Sequence, residues 1–133
     1  MHLSYIAHSK KNYTESLALC ESAKEIYESL GAEAGNAVLA HVYTGISYTL
    51  NELERNEEAL EAGKHVIELL EEISSPDVLK AYRDEGSFAF DAKNYVDSIK
   101  WYTKALEYLS PDDNENNKAW DHFYIARAHL KLH

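Results

Sequence analysis

Small residues recur at matched places along this chain, and that recurrence limits the folds open to it. Ser16, Ala59 and Ser98 each follow by three residues the start of an amphipathic stretch, at Tyr13, Asn56 and Tyr95. Four residues further on come Cys20, Gly63 and Tyr102, and seven further on come Ala23, Val66 and Ala105. Gly45 and Gly86 add a second series, 41 residues apart in similar surroundings. A small side chain at a fixed helical place lets two helix axes approach closely, which is how helix pairs stack into repeats.

The stretches between these points have helical spacing. From Tyr13 to Leu30 the apolar residues fall at i, i+4 and i+7, and Gly31 is placed to stop the helix in the left-handed conformation. Further helices are expected from about Ala34 to Leu50, Glu57 to Ile73, Pro76 past Ala89, Tyr95 to Leu109, and Lys118 almost to His133. Ser75 followed by Pro76 is a start signal. A short helix from Leu3 to about Ser9 brings the expected total to seven. No alternating β pattern is sustained, so the expected fold class is all-α, in stacked antiparallel helix pairs. Residues 1–133 are expected to form a single helical repeat domain, a fragment of a longer array.

Composition narrows the function classes. With a net charge of −10 and no basic stripe, direct contact with nucleic acid is not expected. No apolar run approaches the roughly 20 residues that span a bilayer, and Met1 to Tyr5 has no signal-peptide pattern. One cysteine, Cys20, forms no internal disulfide, which favours a reducing, cytoplasmic setting. Its helix place reads as a buried structural thiol, since no cationic cluster accompanies it. His122 and His129 share a helix face, but no H-E-x-x-H or completing carboxylate makes a metal site. Nucleotide-binding and nucleophile-elbow motifs are missing too. The expectation is no enzyme, no cofactor and no metal.

The stretch Ala81-Tyr82-Arg83-Asp84-Glu85-Gly86, followed by Asn94-Tyr95-Val96-Asp97-Ser98-Ile99-Lys100-Trp101-Tyr102-Thr103-Lys104-Ala105-Leu106 and Pro111, closely resembles a tetratricopeptide repeat (TPR). Tyr27 to Gly31 with Ala40 to Gly45 looks like a longer variety of that repeat. Its period exceeds the usual length of about 34 residues, as in kinesin light chains and the peptide-sensing regulators of bacterial quorum signalling. Two departures stand out. Glu85 occupies a place where the family usually has leucine, so it is paired with a cation or the register shifts there. Gly45 to Ala59 is two residues longer than Gly86 to Ser98, an excess placed between the helices.

The resemblance implies a right-handed superhelix of about three and a half repeats and a scaffold that holds a protein or short peptide. It also implies a concave groove lined by first helices. Carried over, the groove takes Val42, Tyr43, Ile46, Thr49 and Leu50 from one repeat and Lys80, Arg83, Ser87 and Phe90 from the next. The last half-repeat adds Asp121, His122 and Ile125, and Tyr5 and His8 close the near end. Arg83 with Lys80 would receive an anionic group, or else Arg83 pairs with Asp84, Asp121 or Glu85 as a strut. The sensor part of a peptide-responsive bacterial regulator is one form of such a scaffold. A small secretion or assembly chaperone and a self-association module are the alternatives, the last because Trp120, Phe123 and Tyr124 leave an incomplete end repeat apolar.

Overall fold

The computed structural model describes residues 2–31, 35–109 and 115–132, with side chains from residue 12 onward. It holds six α-helices: α1 His2–Leu30, α2 Asn36–Glu52, α3 Asn56–Glu72, α4 Val78–Asp91, α5 Tyr95–Tyr108 and α6 Glu115–Leu132. Among the described residues there is no strand, and the fold class is all-α as expected. The helix count differs from the expected seven because α1 runs unbroken through Ser9 to Asn12. No glycine or proline interrupts that stretch, so nothing in its backbone forces a stop. The chain divides into two compact units, Met1–Ser74 with α1 to α3 and Ser75–His133 with α4 to α6. Within the first, α2 packs on both α1 and α3; within the second, α5 packs on both α4 and α6.

The α2–α3 hairpin of the first unit and the α4–α5 hairpin of the second turn in the same way. α2 ends in a left-handed residue, Glu54 (φ 63°), and α4 ends in Lys93 (φ 63°). The next amide closes back onto the helix in both: Arg55 N donates to Leu50 O at 2.9 Å, and Asn94 N to Ala89 O at 2.8 Å. This is the Schellman closure, which satisfies carbonyls that a helix end otherwise leaves open. Glu54 and Lys93 are 39 residues apart, the spacing of Ala59 and Ser98, both wholly buried at 0% exposure.

The 41-residue spacing of Gly45 and Gly86 therefore does not mark equivalent places. The two extra residues lie inside α2, not between the helices as the sequence suggested. Two residues of α-helix rotate a side chain by about 200°, so the two glycines point to opposite neighbours. A Cβ on Gly45 would meet Cys20 of α1, whereas one on Gly86 would meet Tyr102 of α5. Counted from the turn, the residue matching Gly86 is Ser47, itself buried. Glu85 matches Ile46 by the same count, and both are buried. By this count Glu85 occupies a core position.

The remaining signals act locally. Gly31 takes φ 61° directly after α1. Ser75 Oγ accepts from Asp77 N at 3.2 Å, and a tight turn through Pro76 leads into α4 at Val78. Asn94 caps α5 by accepting from Asp97 N at 3.3 Å while its own amide donates to Asp97 Oδ2 at 2.8 Å. That reciprocal pair satisfies an open N-terminal amide and sets a carboxylate against the helix dipole. In the hairpin of the second unit, Ser98 Oγ donates to Gly86 O at 2.8 Å. Tyr82 of α4 and Trp101 of α5 stack in the same hairpin, ring centroids 6.1 Å apart.

Candidate functional site

Three helical stripes converge in the first unit. Glu21 and Lys24 come from α1, Tyr43, Ile46 and Leu50 from α2, and Glu58, Glu61, Ala62 and His65 from α3. Each set is spaced by three, four or seven residues, which brings its side chains to one helix face. Together they line an open cleft of about 380 Å³, within the range of sites that take small ligands or single side chains. Ile46 and Leu50 are nearly buried and, with Ala62, make an apolar floor. Its walls carry three glutamates and one lysine, with Glu58 held by Arg55 and Glu61 lying 3.7 Å from Lys64.

Tyr43 stands at the point where all three helices contribute to one cluster. Its hydroxyl donates to Glu28 Oε1 of α1, its ring lies 4.3 Å from that of His65 in α3, and Lys24 Nζ sits 5.9 Å from its centroid. Burial, and then the Glu28 carboxylate, push the phenol up to about 12. Across the cleft, Arg55 holds Glu58 in a fork at 2.8 and 2.5 Å. That hydrogen-bonded guanidinium keeps the Glu58 carboxyl below the usual carboxylate range.

The raised phenol makes a pH expectation. Its folded pKa lies above the ordinary 10.0, so its contribution to stability is whole below about pH 10 and is lost as pH climbs toward 12. In an NMR titration with ring-labelled tyrosine, Tyr43 should titrate near 12. Glu28→Gln should bring it down part of the way, since burial is the larger cause. Titration at the ordinary tyrosine value would break the cluster.

Of the residues carried over from the repeat pattern, the cleft brings together Tyr43, Ile46 and Leu50. Val42 is half-buried and lies off it; Thr49 is buried, its hydroxyl donating to Gly45 O at 2.7 Å. Tyr5 and His8 have side chains outside the described residues. Glu21, Lys24, Glu58, Glu61, Ala62 and His65 were not anticipated, because a groove drawn from first helices alone omits α1 and α3. The stripe at 43, 46 and 50 could have pointed to them, since it needs a neighbour on each side.

The other carried-over residues belong to the second unit. Arg83 of α4 and Asp121 of α6 form a two-pronged pair, Nε to Oδ1 and Nη2 to Oδ2 both at 2.8 Å. Arg83 Nη2 also donates to Asn117 O at 3.1 Å. Asp121 is wholly buried, so the strut, not a waiting anion receptor, describes Arg83. Lys80 faces Asp84 at 3.0 Å. Phe90 lies under the Arg127 guanidinium, 4.2 Å from its ring centroid, and meets Tyr95 edge-on. Ser87 and His122 are exposed and Ile125 is half-buried. No family model matches the chain, and no curated protein matches it in sequence. Among the described residues no helix is long and apolar enough to cross a membrane.

Proposed function

We propose that this protein is a binding module of the tetratricopeptide type that holds a segment of another polypeptide in the cleft between α1, α2 and α3. The observation that carries the reading is the pairing, in one open cleft, of an apolar floor with charged walls. A single apolar side chain of a bound segment fits over Ile46, Leu50 and Ala62. Glu21 and Glu61 would face a basic residue beside it, so the expected ligand is an apolar-basic segment. The repeated hairpin turn and the small residues 39 apart support the repeat-type reading.

Fluorescence anisotropy with short labelled peptides tests it. Peptides pairing leucine or phenylalanine with lysine or arginine should bind, and their acidic counterparts should not. Glu21→Lys with Glu61→Lys should weaken binding roughly tenfold, since wall charges steer and select more than they anchor. Both glutamates are exposed, so melting should hardly move. Equal binding of acidic and basic peptides, or indifference to the charge reversal, would remove the cleft from consideration.

A further inference from the structure

We propose that the Tyr43 ring is the cation subsite of the cleft. Lys24 sits there as the chain's own occupant, so a lysine or arginine of a bound segment must displace a side chain of its own kind. The inference rests on the reading of the cleft as a polypeptide-binding site and names the place within it that takes the basic residue. Lys24 Nζ stands 5.9 Å from the ring centroid, inside the roughly 6 Å over which an ammonium is drawn to an aromatic face. Both side chains line the cleft and both are half-buried, so their contact lies on a wall that a bound segment meets. The ring is fixed from two other directions. Its hydroxyl donates to Glu28 Oε1, and the His65 ring meets it at 58° with centroids 4.3 Å apart. A phenol that donates to a carboxylate gains electron density in its ring, which strengthens the pull on a cation.

Charge around the ring points the same way. Glu21 and Glu28 stand three residues before and four after Lys24 on α1, which puts both on the Lys24 face of that helix. A cation over the ring therefore has a carboxylate on either side of it along α1. Across the cleft, Glu58 is already taken by Arg55, so the ring wall offers an incoming cation more. Lys24 is the only lysine or arginine among the described residues that line the cleft. Its contact is of a displaceable kind, because a cation over a partly exposed ring is held weakly. Arg83 is the contrary case, forked onto a wholly buried carboxylate. The side chain in residence thus shows the chemistry that the subsite accepts, an alkyl cation lying over the ring beside acids, and also competes for it.

Short labelled peptides that differ only in the residue beside a leucine (lysine, trimethyllysine or norleucine) test this on the full chain and its Lys24→Met form. Methionine keeps the length and helix propensity of lysine and removes the charge, and unchanged far-UV circular dichroism verifies the fold. Lys24→Met should bind the lysine and trimethyllysine peptides about fivefold more tightly than the parent does, and the norleucine peptide no better. Trimethyllysine keeps the charge but donates no hydrogen bond, so its gain reports the ring. Its methyl protons should also move upfield in the NMR spectrum on binding to Lys24→Met, because they lie over the aromatic face. Adding Tyr43→Leu should abolish both the gain and the upfield shift; if that double variant does not fold, the shift in Lys24→Met alone decides. Methyl protons that do not move, or a gain no larger for lysine than for norleucine, overturn the subsite and leave the cleft's role intact. If no peptide binds either protein, the reading of the cleft fails and the subsite falls with it.

Discussion

Arg83→Ala should destabilise the second unit by about 3–5 kcal/mol, the usual consequence of stripping the partner from a buried charge. Asp121 is wholly enclosed, while the Arg83 side chain keeps 22% of its surface in solvent. The asymmetry sets the order of effects. Removing Arg83 strands a carboxylate where water does not reach, whereas Asp121→Ala leaves a guanidinium that can still turn outward. Arg83→Lys should fall between, because lysine keeps the charge and loses the fork and the second prong to Asn117 O. Replacing both partners with apolar residues of similar size should recover much of the loss. The readout is clean: both tryptophans, Trp101 and Trp120, lie in the second unit, so their fluorescence during urea unfolding reports on it. An Arg83→Ala protein that unfolds with the parent would contradict the burial of Asp121.

That pair also marks how far the residues could be read in advance. Ala59, Ser98 and Ala105 were legible as close-contact places, because a small residue at a repeated helical phase has few other reasons to recur; all three have no exposed surface. The stop at Gly31 was legible too, since it depends on the conformation of one residue; the start expected at Ser75 and Pro76 falls two residues early, because a turn through Pro76 and Asp77 precedes α4 at Val78. The partner of Arg83 was one of three open choices, settled only when α6 set Asp121, 38 residues away, against α4. The cleft was half legible. Its α2 face follows from spacing, but Glu21 and Glu61 join it only because α1 and α3 flank α2 on either side. α1 is longer than its apolar spacing predicts for a simpler reason: the polar stretch from Ser9 to Asn12 interrupts the spacing but contains no glycine or proline to end a helix.

Gly86→Ala should destabilise the second unit by about 1–3 kcal/mol, the range for forcing an extra carbon into a filled core, while Gly45→Ala should stabilise the first unit. A Cβ at residue 86 would stand 2.7 Å from two carbons of the Tyr102 ring. The ring has little room to yield. It is 3% exposed and stacks on Tyr124 with centroids 5.1 Å apart and planes within 10°. Alanine's helix propensity offsets up to about 1 kcal/mol of that loss, which leaves the net sign unfavourable. At residue 45 the nearest neighbour to an added Cβ is Cys20 Sγ at 3.6 Å, an ordinary contact. The propensity gain then acts alone, for about 1 kcal/mol at most. Thermal melts followed by circular dichroism should show the two substitutions moving in opposite directions. A second change separates overpacking from a mere intolerance of alanine: Gly86→Ala with Tyr102→Leu should recover part of the loss, because leucine removes the atoms that the Cβ meets. If Gly45→Ala and Gly86→Ala instead cost the same, the two-residue offset within α2 is wrong, and the glycines are equivalent after all.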